Sequence, residues 1–313
     1  MKNIKNIMLS KSSNMMSVLR KVNLILGIFI LLTSCEKEIS IDLPQYETKV
    51  VIEGSIETGE FAVVTITKST DYFQVYDSAT IANMFVRNAL VTVSNQFGSI
   101  DTLTFAFDIT QPLPFVYKGS TIIGQEGGIY TLKVQVDNKT YTTSTSILPA
   151  VTIDSLFFVE QNMDEHKGII RMKFTDPLGA RNYYRLFSKV LGKDSSYTPV
   201  WGGATFDDKL IDGISYFADI YRGDKSNLMQ ENTHGDPRLS RFFGIGDTVV
   251  VKMSSIDYYT YKFWYSAEME MNSGGNPFTT PSPINSNIPN ALGIWGGYGV
   301  FYDTIIIANP LKK

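Results

Sequence analysis

Between Lys49 and Thr145 apolar side chains return at every second position, a period that fits strands with one buried face and fits no helix. Val50, Ile52 and Ile56 share one such face and Ala62, Val64 and Ile66 another. Ala89, Val91 and Val93 follow, then Leu103, Phe105 and Phe107, then Tyr130, Leu132, Val134 and Val136. Turn formers stand between the runs: Thr58-Gly59, Asn95 to Gly98, Gly127-Gly128 and Asp137-Asn138. Six or seven short strands with this punctuation in about a hundred residues predict an antiparallel β-sandwich of immunoglobulin or transthyretin type. The expected span of that domain is 49–148, and no helix is expected within it.

Pro149, in Ile147-Leu148-Pro149-Ala150, marks the predicted boundary because proline cannot continue a central ladder. The strand pattern restarts beyond it, at Ile153 to Glu160, Ile170 to Phe174, Tyr183 to Lys189 and Thr248 to Met253. Residues 149–313 therefore read as a second, β-rich domain. Its periodicity dissolves between Ser195 and Arg241, where a surface loop is expected. One helix is predicted, with Ser254 as its cap, Asp257 in its first turn, and Ser273-Gly274-Gly275 at its end. It is rich in rings: Tyr258, Tyr259, Tyr261, Phe263, Trp264 and Tyr265. They either pack the helix onto a sheet or form a platform for sugar rings or a partner chain. Further on, Gly293, Gly296, Gly297 and Gly299 alternate with bulky residues, which suits a strand meeting another backbone closely. Trp295 and Tyr298 are expected to be buried in that sheet.

Chemistry is sparse. The chain has 1 Cys and 2 His among 313 residues, so disulfides within the chain and zinc sites rich in cysteine are excluded. No nucleophile elbow, phosphate loop, dinucleotide fingerprint, paired-histidine zinc motif or EF-hand spacing is present. No metal or cofactor is expected, and the protein does not read as an enzyme. Asp207, Asp208 and Asp212, with Asp219 and Asp224 beyond, are the carboxylates that calcium or a glycosidase would use, although aspartate also favours turns. The binding residues expected of the Ser195 to Met271 region are Trp201, Tyr216 and Tyr221, since exposed rings bury large area with few rotatable bonds. Asp77-Ser78-Ala79 resembles the Asp-Ser/Thr-apolar acceptor of Bacteroidota O-glycosylation, with Ser78 expected in a loop.

The first 34 residues read as a lipoprotein signal peptide. Lys2, Lys5, Lys11, Arg20 and Lys21 form a basic start without an acid, and Leu24 to Leu32 is an apolar run too short to span a bilayer comfortably. Leu32-Thr33-Ser34-Cys35 resembles the bacterial lipobox, which makes Cys35 the expected lipidation site and residues 35–48 a tether. Lipid chains would then anchor the protein without a transmembrane helix. Loss of the leader removes five basic residues and no acid, taking the net charge from −3 to −8. A mildly acidic mature surface argues against nucleic acid as a partner. Glu36-Lys37-Glu38 after the cysteine resembles a Bacteroidota signal for transfer to the cell surface, and reads equally well as a solvated tether. An outer-membrane location is expected.

The residues carrying a family resemblance run in a fixed order along the chain: Cys35-Glu36-Lys37-Glu38, Leu43-Pro44, Val50 to Gly54, Gly128 to Leu132, Phe174 to Pro177, Tyr183-Tyr184-Arg185, Asn276-Pro277-Phe278, Asn290 to Gly293 and Gly296-Gly297-Tyr298. In this order they are similar to the Bacteroidota lipoprotein family called domain of unknown function 4249, over essentially all of residues 35–308. The resemblance implies a secreted, lipidated, β-rich protein, often encoded near TonB-dependent outer-membrane receptors. Three functions follow as expectations. The first is an accessory or ligand-binding lipoprotein beside such a receptor in nutrient uptake. The second is a surface adhesin or carbohydrate-binding module with a glycan or peptide ligand, and the third a hydrolase using acids of the 207–236 loop.

Overall fold

Seven strands arise where the two-residue period runs: β1 (Val50–Glu57), β2 (Phe61–Lys68), β3 (Leu90–Asn95), β4 (Ile100–Phe107), β5 (Phe115–Ile123), β6 (Ile129–Val136) and β7 (Lys139–Ser146). The computed structural model describes residues 47–70, 77–162, 166–223, 240–273 and 283–308. The leader, Cys35 and most of the expected tether lie outside these residues. In one layer β2 joins β1 to β5, and in the other β3 joins β4 to β6, with β7 beyond. β4 belongs to both layers: Ile100 to Leu103 pair with β3, and Thr104 to Phe107 with β5. Its alternation accordingly leaves the core after Leu103, and Phe107 is 61% exposed. Asp101 braces this crossing. Its Oδ2 accepts the backbone N–H groups of Ser120, Thr121 and Ile122 at 2.9, 2.8 and 3.0 Å, where β5 bulges away from β2.

The second half supplies β8 (Ile153–Asn162), β9 (Lys167–Thr175), β10 (Tyr183–Val190), β11 (Thr198–Pro199), β12 (Thr205–Asp207), β13 (Ser215–Ile220), β14 (Phe243–Gly244), β15 (Thr248–Ile256) and β16 (Leu292–Ile306). β8, β9, β13 and β14 make a four-stranded sheet. β10, β15 and β16 continue the first sheet, because β16 pairs with β15 through its second half and with β1 through its first. The β1 pairing is parallel, Val51 to Glu57 against Leu292 to Tyr298, an exception to the antiparallel expectation. Sequence-local reading misses it because the partners lie at opposite ends of the chain.

Two cores sit on one face of that long sheet. The first gathers Ile52, Ile56, Val64, Ile66, Val91, Val93, Leu132 and Val134 around Trp295, all buried. The Trp295 indole donates to the Tyr130 carbonyl of the other layer at 2.9 Å, and a side chain at Gly54 would stand 2.7 Å from its ring. The second core holds Ile170, Met172, Phe174, Tyr184, Leu186, Val249, Val251 and Met253. Between them the chain crosses over β16. A Cβ on Gly297 would lie 2.3 Å from the Ser146 oxygen, and one on Gly299 1.9 Å from the Leu148 oxygen. Pro149 thus falls between two cores that share a sheet, and residues Glu47–Lys313 form one compact unit.

Two helices stand among the described residues. α1 (Ser78–Met84) stands where no helix was expected; its seven residues are too few to print a period, and Asp77 caps it by accepting Thr80 N–H at 2.6 Å. α2 (Tyr258–Ser273) lies on the face of the long sheet opposite the cores, with Tyr261 packed against Ile256, Tyr298 and Val300. Its cap is Asp257, which accepts Thr260 N–H at 2.7 Å, and not Ser254. Ser254 is fully buried in β15, because the strand period runs on through Ile256. The other Asp257 oxygen accepts the Thr145 hydroxyl at 3.1 Å, fixing the helix start to β7.

Candidate functional site

Trp201 follows β11 and forms an isolated bridge with Tyr221, whose carbonyl accepts its N–H at 3.2 Å. The two rings meet edge to face at 5.9 Å, and the Arg241 guanidinium covers the indole at 3.7 Å. Phe242 extends the group, 6.2 Å from Tyr221. Arg241 is itself placed by strand-like pairing, since its carbonyl accepts Arg222 N–H at 2.9 Å. Trp201 remains 41% exposed. A ring held by backbone bonds and capped by a cation loses little freedom when it binds, which is what an interface anchor needs. Tyr216 stands apart. It sits five residues before Tyr221, roughly 17 Å along an extended chain, and turns its edge to the core residue Phe174 at 6.2 Å. The sequence singled out Trp201 and Tyr221 but not Arg241, whose place over the indole depends on strand pairing.

The rings of α2 divide. Trp264 faces the sheet, stacked on the Arg185 guanidinium at 3.4 Å, with its indole N–H donated to the Tyr298 hydroxyl at 2.7 Å. Arg185 is 3% exposed, and its second neighbour is Glu268, 3.9 Å away, which accepts from the hydroxyl and the N–H of Thr205. Burial holds Arg185 below its usual range and pushes the Tyr298 phenol up to about 12. Glu53 faces the same group from β1; burial raises its carboxyl, opposed by Arg185, although solvent still reaches it.

Tyr258, Tyr259 and Tyr265 face outward instead, 47%, 67% and 43% exposed. Together with Tyr261 and with Tyr183 of β10 they form an unbroken series of ring contacts. Tyr259 to Tyr258 is 5.7 Å, Tyr258 to Tyr183 5.6 Å, Tyr183 to Tyr261 4.6 Å and Tyr261 to Tyr265 5.4 Å. Sequence reading finds four of the five rings. Tyr183 joins from a distant strand.

Beside this series lie the acids. Asp176, Asp208 and Asp212 bring carboxylate oxygens within 4.8 Å of one another, whereas Asp207 turns to Arg181 at 3.5 Å. The three are engaged as a loop clamp. Asp176 accepts from Tyr184, Asn182 and Gly213, Asp208 from Asn182 N–H, and Asp212 from Gly179 N–H. Burial, and then the bond to Asp176, push the Tyr184 phenol well up. Asp219 is committed to Arg171 at 2.6 Å. Asp224, His234 and Asp236 lie outside the described residues, and His166 pairs with Glu160 at 3.0 Å. Ser78 opens α1 rather than standing in a loop, and its side chain is outside the described residues.

A solvent-open recess of about 510 Å³ lies at one end of the first sandwich, near Lys49, Lys139 and Tyr141. None of Trp201, Tyr216, Tyr221, Asp207, Asp208, Asp212 and Asp219 lines it. No helix among the described residues is long and apolar enough to cross a membrane.

No curated protein matches the sequence. A family model described as Domain of unknown function (DUF4249) matches residues 36–302, which takes in every strand and helix of the described residues apart from the last residues of β16. The chain therefore belongs to the DUF4249 family.

Proposed function

We infer that this protein is a lipid-anchored outer-membrane component that binds a ligand or partner beside a TonB-dependent receptor in nutrient uptake. The observation that carries the reading is Trp201, exposed yet immobilised by Tyr221 and Arg241. Aromatic and arginine side chains fixed in this way supply most of the energy of interfaces. The basic, apolar, cysteine-terminated leader supports the anchoring, through Cys35.

The test is recovery of the receptor with the protein from outer membrane solubilised in mild detergent. Trp201→Ala should reduce recovery by about tenfold while shifting the thermal midpoint little, as for an exposed side chain. Recovery of no receptor with the wild-type chain would defeat the reading. Cys35→Ser should abolish palmitate labelling and release the chain from membranes.

A second reading, a surface adhesin or carbohydrate-binding module, is favoured by the outward tyrosines of α2.

A further inference from the structure

We propose that Tyr259, Tyr258, Tyr183, Tyr261 and Tyr265 form an extended binding site for a neutral, linear oligosaccharide laid along α2. The inference concerns a different surface from Trp201 and deepens the carbohydrate-binding reading by naming the ligand class.

Continuity is the first support. Four successive ring contacts of 4.6–5.7 Å run without a gap, and the series is built from two elements, α2 and β10. An aromatic group serving only to seat a helix would be buried throughout. Here Tyr183 and Tyr261 do seat it, against Ile256, Tyr298 and Val300, while the rings at both ends stay open to solvent.

The second support is polar. None of the five phenol hydroxyls has a hydrogen-bond partner among the described residues, although Tyr117, Tyr130, Tyr184 and Tyr298 all do. Five unengaged hydroxyls beside ring surface match a ligand that alternates C–H faces with hydroxyl groups.

Charge selects neutrality. Arg181 lies 3.5 Å from both Asp207 and Asp208 at one side of the series, and Lys262 stands 5.6 Å over the Tyr258 ring. Asp176, Asp207, Asp208 and Asp212 beside the series outnumber Arg181 and Lys262, so the surface repels a polyanion. The cationic position against Tyr258 is already filled by the chain's own lysine.

Affinity electrophoresis of the full lipoprotein in detergent tests this, with soluble starch, mixed-linkage β-glucan and arabinoxylan as neutral probes and polygalacturonate and chitosan as charged ones. At least one neutral polysaccharide should retard the protein, its oligosaccharides should bind more tightly than its monosaccharide, and both charged polymers should fail. Tyr259→Ala and Tyr265→Ala should each weaken binding by about tenfold with the thermal midpoint unchanged. Retardation by no neutral polysaccharide, or retardation unaffected by both substitutions, overturns the proposal. Loss of receptor recovery in the tyrosine variants without glycan binding would assign this face to a protein partner instead. Trp201→Ala should leave glycan retardation intact, so failure here and failure of the receptor reading are separable.

Discussion

The Trp264 indole lies 3.4 Å above the guanidinium of Arg185, and this stacked pair joins the middle of α2 to the long sheet. Arg185 is buried, and its Nε and Nη1 have no hydrogen-bond partner among the described residues, so the indole face takes much of the part that water would play for an exposed arginine. Trp264→Ala should destabilise the fold by about 2–4 kcal/mol, read as a fall in thermal midpoint. Trp264→Phe, which keeps a ring over the cation and loses the bond to Tyr298, should recover part of that loss. Equal midpoints for Trp264→Ala and wild type would show that the pair contributes nothing.

A fragment of residues 47–148 should not fold as a cooperative unit. Its core would lack Trp295, the largest of its buried side chains, and β1 would lose the pairing of seven residues to β16. Thermal unfolding monitored by near-ultraviolet circular dichroism should show no transition for the fragment and a sharp one for the whole chain.

Gly299→Ala should be among the most damaging small substitutions in the chain. The added methyl would stand 1.9 Å from the Leu148 carbonyl oxygen, which is backbone and cannot swing aside. A loss of about 3 kcal/mol or more is expected. Gly246→Ala, at a position with open space but a φ of +89°, should cost less, about 1 kcal/mol.

Asp101 should leave a signature in the acid range. Burial raises its carboxyl, but the N–H groups of Ile122, Thr121 and Ser120 outweigh that and hold it below its ordinary value of 3.8. A carboxyl lowered in the folded state stabilises fully above its unfolded value and loses that contribution as pH falls through the lower folded one. Asp101→Asn should cost about 1–3 kcal/mol at neutral pH. The gap between variant and wild type should then close below pH ~3.8, as followed by urea midpoints.

Reading the sequence recovers five of the seven strands of the first sandwich because alternation is local, although the run of Leu103, Phe105 and Phe107 leaves the core after Leu103. It also finds the glycines of β16 as points of close approach. It does not reveal that β16 pairs with β1, because nothing in Leu292 to Tyr298 names a partner more than two hundred residues away. The cap of α2 is Asp257 and not Ser254 for a related reason: a serine reads as a helix starter in isolation, yet tertiary pairing keeps Ser254 in β15. The same limit applies to binding surfaces. Trp201 and Tyr221 are legible as exposed rings near glycines, whereas Arg241 over Trp201 and Tyr183 among the α2 tyrosines exist only once strands have met.

β16 is made after β1 to β15, yet it lies between β1 and β15 and supplies the tryptophan around which the first core closes. Until it arrives, β1 has an unpaired edge, Gly54 faces an empty slot, and the seam between the sandwiches cannot form. Folding of the first core therefore waits on β16 rather than proceeding as β1 to β7 emerge, with a high contact order and a correspondingly slow final step. A truncation before Leu292 would remove the whole of β16 and leave both halves open at once.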